Sequence, residues 1–340
     1  MTHPTLTLLP FTPTELETAY RWLCLQRRHY PDNADIWDFR FHWETNKAAL
    51  LAEINRGDFQ FSPVKRITKA NGAVIHLWSS ADALVMKLLA EWLTPKLNLS
   101  KHCTHVKGHG GLKQSVVRIQ TQLSQYQYVC KTDVKQFYES IDQHLLMEQI
   151  HHQVKNKHVK RYLWQIIRRT VEYGGLYREI STGISRGCSL SPILGALYLS
   201  SLDKQFEKQG VFYLRYMDDI LILTKTRWQN RKAVKRLNQC FNQLKVQQHP
   251  DKTYIGKIDK GFDFLGYHFS KEPLQLAHQT VKKHVEHLYR LYEQQIKTNA
   301  TSSVVALVLG DYATRWQRWC VAGLGVITEI DSTLDTDLSD

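Results

Sequence analysis

The most constraining feature of this chain is an apolar run that carries two adjacent acids. Residues 212–223 read Phe-Tyr-Leu-Arg-Tyr-Met-Asp-Asp-Ile-Leu-Ile-Leu, apolar on both sides of Asp218-Asp219. That layout predicts a buried β-hairpin with the acids at its turn. Two neighbouring carboxylates beside buried strands repel each other and lose solvation unless something compensates them. A divalent cation does so naturally, because Mg²⁺ is held by one or two protein carboxylates together with substrate phosphates. A solvated Asp-Asp turn is the commonplace alternative, and the pair alone does not exclude it.

Composition narrows the setting. The 340 residues are 43% hydrophobic and 23% charged, as in an ordinary globular protein. The net charge of +13 argues for a polyanionic partner, nucleic acid first. The cysteines Cys24, Cys103, Cys130, Cys188, Cys240 and Cys320 are scattered and form no C-x-x-C pair, which fits reduced thiols better than a disulfide framework. No apolar run approaches the length of a membrane span, and the N-terminus lacks the layout of a signal peptide. The expectation is a soluble, cytoplasmic protein without a membrane partner.

Local patterns place further elements. Thr12-Pro13-Thr14-Glu15 is a capping-box start for a helix through Leu16, Ala19, Tyr20 and Leu23. Helices are also expected over 43–55, 81–93, 143–150 and 231–244, with strands at 126–133 and 262–269. Val64, Ile67, Val74 and Ile75 flank the turn Ala70-Asn71-Gly72, which predicts a hairpin with Lys65, Arg66 and Lys69 on or beside its tip. Ser191-Pro192 opens an amphipathic helix through Leu194, Leu197, Tyr198, Leu202 and Phe206. The stretch 278–319 reads as helical, and the acidic last dozen residues read as disordered. Strands and helices come in runs without strict βαβ alternation, so the fold class is α+β.

Five motifs in order give the acids a context. Tyr216-Met217-Asp218-Asp219 resembles the Tyr-x-Asp-Asp box of reverse transcriptases, and the segment Asp133 to Ile141 resembles their first palm motif. Gly183-Ile184-Ser185-Arg186-Gly187-Cys188-Ser189-Leu190-Ser191-Pro192 is similar to the family's Gly-x-Pro-Gln-Gly-x-x-x-Ser-Pro element. His249-Pro250-Asp251-Lys252-Thr253 resembles its Lys-Thr motif, and Phe264-Leu265-Gly266-Tyr267 its primer grip. The resemblance implies a right-hand polymerase fold with fingers, palm and helical thumb. It implies an RNA-directed DNA polymerase that adds dNTPs to a 3′-hydroxyl with two Mg²⁺ ions, Mn²⁺ being a substitute. Asp133, Asp218 and Asp219 would be catalytic and would hold the metals, joined by the backbone carbonyl of Val134. Tyr138 matches the aromatic that crowds the sugar 2′ position and selects dNTPs. Lys252, Arg66 and Lys69 would contact the incoming nucleotide. Arg186, Met217, Phe264, Leu265 and Gly266 would contact nucleic acid.

The departures from the family pattern fall on the template and nucleotide side. Ser185-Arg186 stands where relatives carry Pro-Gln, and Ile75-His76-Leu77 stands where many carry Arg-Pro-Leu. His102, Cys103, His105 and His109 match no standard zinc spacing. The loop Lys107 to Gly111 reads instead as a nucleic-acid backbone contact. Arg227-Trp228 and the basic face Arg231, Lys232, Lys235 and Arg236 either track a duplex or are merely solvated.

The implied organisation is an N-terminal region and fingers over 1–125, palm over 126–145, and fingers/palm helices over 146–205. The second palm part and primer grip follow over 206–272, a helical thumb over 273–325 and an acidic tail over 326–340. The short stretch after the primer grip leaves no room for a large nuclease domain. That points to compact bacterial reverse transcriptases related to group II intron and retron enzymes, and the Lys107-Gly108-His109-Gly110-Gly111 loop and Ser185-Arg186-Gly187-Cys188 element resemble most the antiphage, defence-associated types. The expected partners are a dedicated noncoding RNA as template, a DNA product and dNTPs, with a homo-oligomer or a second subunit left open. The alternative is an RNA-binding assembly subunit whose polymerase core is idle or works without a template.

Overall fold

The computed structural model describes residues 9, 11–68, 72 and 74–324. Helix α1 (Pro13–Gln26) opens on the predicted capping box: the Glu15 amide donates to the Thr12 hydroxyl, and the Thr12 amide donates to the Glu15 carboxylate. It is followed by α2 (Asp35–Phe41) and by α3 (Trp43–Arg56), which Gly57 ends in the left-handed conformation at φ 85°. The predicted hairpin is β1 (Val64–Thr68) paired with β2 (Val74–Leu77), Arg66 opposite His76. Lys69 at its tip lies outside the described residues. Helix α4 (Ser80–Leu93) is capped by Ser79, and α5 (Gly111–Leu123) rises directly from the glycine-rich loop.

The central part begins with β3 (Tyr128–Thr132), a single helical turn α6 (Phe137–Ser140), α7 (Gln143–Gln153) and α8 (Lys157–Ile167). A hairpin that the residue pattern had not revealed, β4 (Thr170–Tyr173) and β5 (Leu176–Glu179), follows. Strand β4 pairs in parallel with β1, so the expected hairpin is half of a four-stranded sheet ordered β2-β1-β4-β5. The single amphipathic helix expected from Ser191 is corrected to two, α9 (Ser191–Tyr198) and α10 (Ser200–Glu207), broken at fully buried Leu199.

Strands β6 (Phe212–Tyr216) and β7 (Asp219–Thr224) form the acid-bearing hairpin, and α11 (Arg227–Gln243) and β8 (Tyr254–Lys257) follow. The single strand expected over 262–269 is a tight hairpin of β9 (Phe262–Phe264) and β10 (Tyr267–Phe269), turned where Leu265 and Gly266 take φ 51° and 87°. Short β11 (Gln275–Leu276) pairs with β10, and the chain continues as α12 (His278–Lys297) and α13 (Ser302–Leu324). The acidic tail lies outside the described residues.

The second four-stranded sheet, ordered β6-β7-β3-β8, is the mechanical centre. One face, with Tyr213, Ile220, Ile222 and Cys130, belongs to the large N-terminal and helical core. The other, with Leu214, Leu221, Leu223 and Val129, belongs to a second core shared with α5 and the β9–β10 hairpin. A sheet covered on both faces needs apolar residues at its central positions, which accounts for the uninterrupted run Ile220-Leu221-Ile222-Leu223. The chain is therefore a mixed α+β protein, as its residue pattern predicts, with its central sheet packed on both faces.

Candidate active site

The acids converge because of strand register. Thr132 on β3 lies opposite Ile220 on β7, which carries Asp133, the next residue, opposite Asp219. Tyr216 pairs with Asp219, so Met217 and Asp218 are the two turn residues. Asp133 is 5% exposed and its carboxylate is hydrogen-bonded to Lys252 through Oδ2, while Oδ1 is buried without a partner. The Asp133 carbonyl accepts from the His249 amide at 2.8 Å, which draws the Lys252 segment to the same end of the sheet.

Electrostatics mark the three acids as crowded. Burial and the neighbouring Asp133 carboxylate push Asp218 up to about 7. Burial and the Asp133 charge push Asp219 up to about 6, against the pull of Lys252 and Lys131. The hydrogen bond to Asp133 holds the Lys252 ammonium above its ordinary value. Hard oxygen donors, an orphaned buried carboxylate oxygen and mutual repulsion are the chemistry that a divalent cation relieves. Among the described residues no three His, Cys, Asp or Glu side chains already form a metal cage. The ammonium of Lys252 supplies the positive charge at Asp133.

Aromatic residues flank the acids. Tyr138 is half-buried and its hydroxyl donates to the Met217 sulfur at 3.5 Å. Burial and then the neighbouring Asp218 charge push its phenol up to about 12. Phe137 and Tyr138 fit because position 195 is glycine: a Cβ there would stand 2.9 Å from the Phe137 ring. The middle motif is stitched to the first one by backbone bonds, Gly183 N–H to Ile141 O and Ile184 N–H to Tyr138 O, both at 2.8 Å. Gly183, at φ 71°, leaves no space for a Cβ, which would come within 2.8 Å of the Glu139 backbone. Ser185 is buried and accepts from the Trp78 indole at 2.9 Å, whereas Arg186 next to it is exposed.

The comparisons with known proteins bear on this geometry. A family model described as "Reverse transcriptase (RNA-dependent DNA polymerase)" matches residues 76–269, more than half of the chain. The chain belongs to the reverse transcriptase family. As such it is an RNA-directed DNA polymerase, a nucleotidyltransferase that works on an RNA template, dNTPs and a DNA product. This reverse transcriptase is 22% identical over 266 residues to "Protein YkfC" of Escherichia coli (strain K12), across 64% of the chain and 69% of the relative. It is 23% identical over 167 residues to the "Putative COX1/OXI3 intron 2 protein" of Saccharomyces cerevisiae, across 47% of the chain but only 20% of that protein.

Not every residue singled out in the sequence gathers at the acids of the reverse transcriptase. Asp133, Val134, Tyr138, Met217, Asp218, Asp219 and Lys252 do. Arg66 lies on β1 with its guanidinium 4.5 Å from the Tyr173 ring centre. Phe264, Leu265 and Gly266 form the β9–β10 turn, where the Gly266 carbonyl accepts from the Thr280 hydroxyl at 2.9 Å. That turn is tied back to the central sheet by Lys131, whose ammonium donates to the Asp263 carbonyl at 2.7 Å.

Three residues that motif reading missed hold the acid-bearing turn. Met217 has φ 57°, a left-handed conformation that a side chain adopts only under constraint. Its amide donates to His105 Nδ1 at 2.9 Å, and its carbonyl accepts from Arg215 at 2.8 Å. His105 Nε2 in turn donates to the Pro192 carbonyl at 3.1 Å, and burial pushes this imidazole down to about 4, so it is neutral at pH 7. Arg215 and Asp203 are fully buried and paired at 2.5 and 2.8 Å, with Tyr213 donating to the same carboxylate at 2.7 Å. Burial works against the Arg215 charge, and the Asp203 carboxylate more than offsets it. Removing one member of such a pair costs about 3–5 kcal/mol. The cluster of histidines around Cys103 was the only local signal for His105.

Proposed function

We propose that the reverse transcriptase carries out DNA synthesis at Asp133, Asp218 and Asp219, with Val134 contributing its backbone carbonyl and Mg²⁺ as the physiological ion. The observation that carries this reading is the strand register that sets Asp133 opposite Asp219 beside an orphaned Asp133 oxygen. Two bound divalent ions would supply Lewis-acid activation of the 3′-hydroxyl and charge stabilisation of the leaving pyrophosphate. The chain's own residues do the rest. His105 and Arg215 hold the turn so that Asp218 projects from a fixed backbone. Lys252 is paired with the Asp133 carboxylate, and its ammonium is placed to meet a triphosphate.

In the same reading the β6-β7-β3-β8 sheet is the palm, the β2-β1-β4-β5 sheet belongs to the fingers, and α12 and α13 form the thumb. Domain limits follow as 1–125, 126–145, 146–205, 206–272 and 273–325, with an acidic tail over 326–340. Arg66 and Lys69 serve the triphosphate, Arg186 and Met217 the template strand, and Phe264, Leu265 and Gly266 the primer.

Tyr138 is the sugar gate. Its ring is fixed by Gly195 and by the Met217 sulfur, next to Asp218, where a 2′-hydroxyl would collide with it. Primer extension with dNTPs and rNTPs tests this: Tyr138→Ala is expected to raise ribonucleotide use relative to dNTPs by about tenfold or more. An unchanged sugar preference contradicts the gate. The finer placement among compact bacterial enzymes with a dedicated noncoding RNA and an antiphage role rests on the resemblance of the 107–111 loop and of Ser185-Arg186-Gly187-Cys188 to those of the defence-associated types.

A further inference from the structure

A basic groove lies away from the acids, between helix α11 and strand β8, with a volume of about 980 Å³. Arg227, Arg231 and Lys235 line one wall, and Lys257 and Lys260 the other. All five are exposed, and among the described residues none of them is in an ion pair. No carboxylate lines the groove; nearby Asp259 is engaged by Lys271 at 3.0 Å. Five like charges facing one cleft repel one another, an arrangement that a polyanion relieves.

The groove is separate from the catalytic end of the sheet. Lys257 pairs with Tyr128, at the start of β3, whereas Asp133 follows its other end. At about 3.3 Å per residue the two positions are roughly 16 Å apart along the strand. The floor is polar. Asn230 is 4% exposed and lines the groove with its Oδ1 buried and unpartnered, and Asn238, Gln239 and Asn242 line it as well. Amides that both donate and accept suit a 2′-hydroxyl, which also does both. Tyr254 adds an aromatic face beside the edge strand.

We propose that this groove binds a single strand of RNA by its phosphates and 2′-hydroxyls, anchoring the RNA outside the polymerase cleft. The choice of RNA as occupant rests on the proposed RNA partner; the presence of a polyanion site does not. A peptide added to the free edge of β8 is the competing occupant, and the lysines on and beside that edge disfavour it unless the peptide is acidic.

The test uses the full chain and its triple variant Arg231→Ser, Lys235→Ser, Lys257→Ser. Binding of an unstructured single-stranded RNA oligonucleotide is measured across a salt series, alongside primer extension on a short template–primer. The variant is expected to bind the RNA about tenfold or more weakly near 0.15 M salt, with the slope of log K against log salt reduced by roughly 2. Extension on the short substrate stays within about twofold of the parent. Unchanged affinity and slope overturn the proposal. So does a loss of extension in step with binding, because the groove would then be part of the catalytic path. A DNA oligonucleotide of the same sequence that binds the parent equally well, and loses as much in the variant, overturns the assignment to RNA. If the parent makes no DNA but the variant still loses RNA, the polymerase reading fails and the groove stands.

Discussion

At the scale of residues, the acids are in conflict until something positive joins them. Asp218 and Asp219 sit at about 7 and 6 because burial and Asp133 disfavour their charged forms. A carboxyl raised in the folded state contributes stability that is present below its unfolded value and is lost as pH rises through the folded one. For Asp218 the window runs from about 4 to about 7. Asp218→Asn in metal-free buffer is therefore expected to stabilise the protein more at pH 8 than at pH 5, by on the order of 1–2 kcal/mol after allowance for solvent screening. Urea unfolding at the two pH values measures this; an equal effect at both contradicts the crowding. Added Mg²⁺ should raise the stability of the parent at pH 8 and raise that of the variant much less.

At the scale of elements, the β6–β7 turn is held from outside its own hairpin. His105 reaches it across 112 residues of sequence and Arg215 from within the strand. His105→Ala is expected to lower kcat about 10- to 100-fold with little change in KM for dNTP, since small misplacement of reacting groups is costly. His105→Asn keeps an acceptor for the Met217 amide and should recover much of the loss. A KM effect without a kcat effect, or no rescue by Asn, would argue against a positioning role. The hairpin itself was legible, because burial on both faces leaves an apolar run that only a turn can interrupt. The capping box of α1 was legible for the same local reason. The break at Leu199 was not: no glycine or proline marks it, and packing of a fully buried leucine decides it. Strand β5 is exposed along its length, so no alternation betrays it. The pairing of Asp203 with Arg215 is likewise set by tertiary packing, and both residues look like ordinary surface charges in the sequence.

At the scale of the whole molecule, the cations behind a net charge of +13 include five, Arg227, Arg231, Lys235, Lys257 and Lys260, that line one groove on the same sheet as the acids. Among the described residues no helix is long and apolar enough to cross a membrane. A protein built this way should retain RNA through purification at moderate salt and release it at high salt. Sequencing of the RNA that co-purifies with the full chain is expected to show one transcript enriched about tenfold or more over its share of total RNA. A spread that follows total RNA would contradict the dedicated partner while leaving the polymerase site untouched.

If Asp133, Asp218 and Asp219 form one metal-dependent polymerase site, loss of either turn carboxylate removes a ligand that nothing else at the sheet end replaces among the described residues. Primer extension on an RNA template with Mg²⁺ and dNTPs tests it most directly, comparing the parent with Asp218→Asn and Asp219→Asn. The parent is expected to synthesise DNA and each variant to fall by about 10³-fold or more, the several kcal/mol that metal-held charge contributes. Synthesis by either variant at a rate near that of the parent would contradict it.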